Sequence, residues 1–155
     1  MAVKISGLKP TIPCAARLYS PAGNGQFHVH EFEVIFKRLP TARRDELSEL
    51  YSVGKREETF VAGATEPTVE VKRISTAELL DEVVEGWGGM LDEQGKPVPY
   101  SHEERKATEL EYAGLEQAMA VAWYDTFFVH QREAAQKNSV AQSGTTSAET
   151  TRAAT

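Results

Sequence analysis

The sequence predicts an α+β fold: a small N-terminal antiparallel β-sheet or hairpin, a mainly α-helical region after it, and a disordered C-terminal tail. Three observations carry that expectation. Polar and apolar residues alternate across Gln26–Phe36 behind the turn-forming run Pro21-Ala22-Gly23-Asn24-Gly25, the pattern of a half-buried strand reached through a hairpin. Two Ser-x-x-Glu sequences, Ser75 to Glu78 and Ser101 to Glu104, stand directly ahead of helix-forming stretches, where such pairs cap the open N–H groups of a first turn. After Lys137 the composition turns to Ser, Thr, Ala, Gln, Gly and Glu without an aromatic residue, too little apolar surface to offset the entropy of ordering. Residues 1–137 are therefore expected to form a single domain, β-rich over 3–37 and helical over 41–136, with 138–155 as a flexible tail.

Taken in order, Cys14–Ser20 and Gln26–Phe36 are the two strands, and Phe32, Val34 and Phe36 share the parity of the buried face. Pro40 closes the second strand and Thr41 is positioned to cap a helix over 42–52, with Leu47, Leu50 and Tyr51 on one face and Gly54 as its stop. Gly63 and Pro67 interrupt the next stretch, but Thr68-Val69-Glu70-Val71-Lys72 alternates as an edge strand does, which places a strand at Val69–Ile74. Behind Ser75, the residues Leu79, Leu80, Val83, Val84 and Trp87 recur at helical intervals and predict a helix over 76–88 that Gly88 and Gly89 end. Asp92–Pro97 reads as a polar turn and Val98-Pro99-Tyr100 as extended chain. Ser101 launches a helix over 102–113, and a final helix runs over 115–136. Across Leu115–Val129 its apolar residues cover well over half the circumference, wider than one core-facing stripe requires. Either several elements surround this helix or part of it meets a partner.

The chain has 155 residues and a net charge of −6, with Arg43, Arg44, Lys55, Arg56, Lys72, Arg73, Arg105, Lys106 and Arg132 dispersed among acids. A phosphate backbone is repelled by such a surface, so no nucleic-acid partner is expected. The single cysteine, Cys14, rules out an intramolecular disulfide and a thiolate-rich zinc site and suits a reducing compartment. No signal-peptide core and no run of about 18 apolar residues is found, so no membrane partner is expected either.

Several constellations bear on chemistry. His28 and His30 share one strand face about 7 Å apart, a spacing that suits a divalent metal only if a third ligand arrives; two surface histidines are the simpler reading. Gly86, Gly88 and Gly89 around Trp87 fit neither dinucleotide nor Walker spacing, and Asp92, Glu93 and Gly95 run into prolines where a calcium loop needs further oxygen ligands. The carboxylate pairs Glu103/Glu104 and Glu109/Glu111 read as solvated helix faces, and Cys14 has no histidine near it in sequence. No catalytic residue, metal ligand or cofactor site is assigned, and a non-enzymatic, protein-binding role is expected.

The run Asp81-Glu82-Val83-Val84-Glu85-Gly86-Trp87-Gly88-Gly89-Met90-Leu91-Asp92-Glu93-Gln94-Gly95-Lys96-Pro97-Val98-Pro99-Tyr100-Ser101, followed by an acidic helix and the helix around Ala120-Val121-Ala122-Trp123-Tyr124, resembles the tail assembly chaperones of long-tailed bacteriophages of the siphophage type. Phe32-Glu33-Val34-Ile35-Phe36-Lys37-Arg38-Leu39-Pro40 leading into a helix is also similar to that family, and the resemblance spans about residues 14–135. It implies a non-virion factor of the host cytoplasm, made during infection, that binds the tape-measure protein, keeps it soluble and helps recruit tail-tube protein. Many relatives are also made in a longer, frameshifted form. On this reading Trp87, Met119, Trp123, Tyr124, Phe127 and Phe128 are the candidate partner contacts, since large apolar side chains dominate interface energy. Edge strands and the broad apolar helix favour self-association. The competing expectation is a structural minor tail protein, such as a tube terminator, which differs in remaining in the mature particle.

Overall fold

A computed structural model describes residues 8–130, 132–134 and 136–137; the expected tail over 138–155 and the start of the β-rich segment, residues 3–7, lie outside them. The first strand, β1 (Thr11–Gly23), pairs antiparallel with β2 (Gln26–Lys37) through a turn at Asn24–Gly25. Asn24 and Gly25 both take positive φ, at 51° and 73°, the left-handed conformation that a tight hairpin needs and that Asn and Gly tolerate best. Both strands run longer than the sequence suggested, because cross-strand pairing continues past Ser20 to Gly23 with one irregularity between Pro21 and Gly23. Phe32, Val34 and Phe36 are buried, as their parity predicts, and Cys14 and Ala16 stand opposite Val34 and Phe32 on the same face.

Helix α1 (Thr41–Ser52) buries Leu47 and Leu50 and ends before Gly54. Thr41 is already its first helical residue, so the N-cap position falls to Pro40 and no side chain caps the helix. A second, two-stranded sheet follows from β3 (Lys55–Thr59) and β4 (Thr68–Lys72). The alternating run at 68–72 is thus a strand, ending two residues before Ile74, and its partner β3 was not legible in the sequence.

Helix α2 (Thr76–Val83) opens with the expected capping box: the Ser75 hydroxyl accepts from Glu78 N–H and the Glu78 carboxylate accepts from Ser75 N–H. It stops five residues short of the expected 88. Val84–Gly88 form strand β5 instead, antiparallel to β2. The two glycines in Val84-Glu85-Gly86-Trp87-Gly88 each cost a helix about 1 kcal/mol, whereas pairing with β2 satisfies the backbone. Trp87 faces Val34, Gly86 faces Ile35 and Val84 faces Phe36, which leaves Glu85 as an extra residue. That irregularity reverses strand parity, so Val84 and Trp87, three residues apart, both reach the core. Their helical spacing was real, and its cause is a bulged strand. The resulting sheet has the order β1-β2-β5.

Ser101 caps helix α3 (His102–Glu111) by accepting from Glu104 N–H; the reciprocal bond of a capping box is seen only at Ser75. Helix α4 (Leu115–Tyr124) buries Leu115, Met119, Ala120, Ala122 and Trp123. Much of its wide apolar surface is therefore core, while Val121 and Tyr124 stay exposed at 46% and 38%. With the sheet face and Leu79, Leu80 and Val83 of α2, these residues complete the α+β core.

The chain divides into two compact units after Trp123, inside the region expected as one domain over 1–137. In the second unit the expected α-helix is interrupted: Asp125–Val129 is a π-helical turn, closed by His130 N–H donating to Asp125 O. Consecutive β-branched and aromatic side chains at Thr126-Phe127-Phe128-Val129 crowd an α-helical turn, and the wider turn relieves that crowding. Tyr124 and Phe128 stack with ring centres 5.0 Å apart.

Candidate functional site

The end of β5 shapes one surface cleft of the first unit. Gly89 takes φ 75°, a left-handed conformation that carries the chain away from the sheet after Gly88. The departing segment folds on itself: Val98 N–H donates to Met90 O, Leu91 bridges Pro97, and the Asp92 carboxylate accepts from the N–H groups of Gln94 and Lys96. Trp87 fastens this loop from below. Its indole N–H donates to Val98 O at 2.9 Å, and its ring meets Tyr100 edge-on at 5.2 Å.

Between this loop, the distal half of the first hairpin and α3 lies an open cleft of about 760 Å³. Leu18, Phe32, Trp87, Met90, Leu91 and Leu115 give it an apolar lining, while Glu31, Asp92, Glu93, Glu104 and Glu111 bring five carboxylates, and among the described residues neither Lys nor Arg lines it. On α3 and at its C-cap, the lining residues Glu104, Thr108, Glu111 and Tyr112 follow the spacing of one helix face. An apolar floor under an acidic rim suits a cationic, partly apolar ligand.

The α3 wall is held from behind by a buried cation. Arg105 is fully buried, donates to Asp81 of α2, and holds its Nε 3.1 Å from a Glu109 carboxylate oxygen, a charge contact without the alignment of a hydrogen bond. His102 and Lys106 also approach Asp81, at 3.5 and 3.7 Å. Burial pushes the Glu109 carboxyl up, partly offset by Arg105, and burial likewise raises the Tyr100 hydroxyl. Glu109 is thus no solvated carboxylate, and Arg105 is no surface base. On the other side of α2, Arg43 binds Glu82 through two hydrogen bonds of 2.6 and 2.7 Å and also reaches Glu46. Hydrogen bonding to Arg43 holds the Glu82 carboxyl below the usual range.

The six partner-contact candidates separate by burial. Trp87, Met119, Trp123 and Phe127 are buried, so they support the structure and offer a partner little surface, whereas Tyr124 is 38% exposed and Phe128 stacks on it. Only Trp87 lines the cleft. His28 and His30 do share a face, with rings 6.5 Å apart, and Ser20 Oγ lies 3.0 Å from His30 Nε2. Among the described residues no cluster of three or more metal-ligating side chains occurs, and no helix is long and apolar enough to cross a membrane. The cleft itself was missed in the sequence, although the stripe Glu104, Thr108, Glu111, Tyr112 was a signal for its α3 wall. No protein-family model, curated protein or solved structure matches this chain.

Proposed function

We propose that the chain is a tail assembly chaperone of a long-tailed bacteriophage, acting in the host cytoplasm without covalent chemistry: it binds the tape-measure protein, keeps it soluble and helps recruit tail-tube subunits. The observation that carries this reading is the joint role of the Asp81–Ser101 segment. It is the stretch that resembles tail assembly chaperones, and its residues Trp87, Met90, Leu91, Asp92 and Val98 line the cleft. A tape-measure chain exposes apolar segments until the tube encloses it, and reversible capture needs apolar surface together with charge that keeps the complex dissolved. The cleft offers the first and the net charge of −6 the second.

Co-expression with the tape-measure protein of the same phage tests the reading. The expected result is a soluble tape-measure protein that co-purifies with this chain, and a mature particle that lacks the chain. Insoluble tape-measure protein, or stoichiometric presence of the chain in virions, contradicts it; the second result points to a structural tail subunit.

A further inference from the structure

Strand β2 is bonded on one side along its whole length, since β1 pairs with it from Gln26 to Lys37, but on the other side β5 covers only Glu33–Phe36. Among the described residues no strand pairs with Phe27–Phe32 on the side where β5 has turned away, an edge about 20 Å long that is exposed over 27–31 and ends at Phe32, buried beside Gly89; Val29, His30, Glu31 and Phe32 of this stretch line the cleft. Open edges are normally guarded by proline or lysine. The opposite edge of this sheet, on β1, carries Pro13, Arg17 and Pro21, whereas Phe27-His28-Val29-His30-Glu31-Phe32 contains no proline, lysine or arginine.

We infer that this edge is a docking site for an extended peptide segment, which adds as a strand beside Phe27–Phe32 in line with β5 and carries lysine or arginine between its apolar residues. Main-chain hydrogen bonds supply binding, and the side chains that alternate along the added strand meet the apolar lining and the acidic rim in turn. Asp92, Glu93, Glu104 and Glu111 select a cationic occupant, while Glu31 is already paired with Arg17 at 3.0 Å. A second copy of this chain, with its net charge of −6, lacks that complementarity. The inference rests on reading the cleft as a protein-capture site and adds the conformation and charge of what is captured.

Fluorescein-labelled ten-residue peptides of alternating Lys and Val, titrated with the full chain and read by anisotropy, test it. An added strand bonds through alternate residues only. Peptides N-methylated at every second residue are therefore expected to differ by parity, one set losing roughly tenfold or more in affinity and the other keeping it. An alternating Glu/Val peptide and a Lys/Leu peptide of equal charge with helical spacing are expected to bind at least roughly tenfold more weakly. The Glu104→Gln, Glu111→Gln double variant, which leaves the strand edge intact, is expected to weaken binding and flatten its salt dependence. Equal binding of both methylated sets, or equal binding of the helical peptide, overturns the inference. Loss of peptide binding while the tape-measure protein is still solubilised sinks strand addition alone. Peptide binding by these rules beside an insoluble tape-measure protein sinks the chaperone reading alone.

Discussion

The two hairpins of this chain obey the same local rule and reach opposite outcomes. In β1–β2 the alternating residues Phe32, Val34 and Phe36 are buried and β5 adds a third strand, while in β3–β4 all ten strand residues are exposed. The second hairpin even sets Lys55 opposite Lys72 and Glu57 opposite Glu70, pairings that cost stability, and Phe60 at its tip is 76% exposed. Alternation thus specifies a strand, but only tertiary cover turns the strand into stability.

Substitutions in the two hairpins should differ accordingly. Phe36→Ala, at a fully buried site, is expected to cost about 3–5 kcal/mol in chemical denaturation, whereas Val71→Ala, at a site 49% exposed, should stay within about 0.5 kcal/mol. Equal costs would mean that the second hairpin is covered in solution. The same contrast holds for charges. Arg105→Ala leaves the largely buried Glu109 carboxylate without its cation, although Lys106 and His102 remain beside Asp81, and is expected to cost about 3 kcal/mol, while Glu57→Lys replaces a repulsive cross-strand pair with an attractive one and should add only about 0.2–1 kcal/mol.

A smaller effect belongs to acid. The Glu82 carboxyl is held low in the folded chain by Arg43, so its contribution is fully present above the ordinary glutamate range and is lost as pH falls through the folded value. Glu109, raised by burial, has the opposite sign: its ionised form costs stability, and acid relieves that cost. Glu82→Gln is therefore expected to flatten the acid limb of a stability profile, and an unchanged limb would show that the Arg43–Glu82 contact does not persist in solution.

What the sequence disclosed follows the range of the forces involved. Caps, turns and parity are local, and Ser75, Ser101, Asn24-Gly25 and the Phe32–Phe36 face were all legible. Val84–Gly88 was not, because its helical spacing is the product of a bulge against β2 that no local pattern encodes. The cleft was hidden for the same reason: Glu31, Asp92 and Glu104 are far apart in sequence and meet only because β5 ends at Gly88. The breadth of α4 was visible, but the division of its apolar residues into buried Met119 and Trp123 and exposed Val121 and Tyr124 depends on packing that no local pattern encodes.

Capture of the tape-measure protein is proposed for the cleft beside β2. Amide hydrogen exchange of the chain, alone and in complex with that protein, tests it most directly. New protection is expected across Phe27–Phe32, Gly89–Glu93 and α3, with β3–β4 unchanged. Protection confined to β3–β4, or none at the β2 edge in a complex that does form, would contradict it.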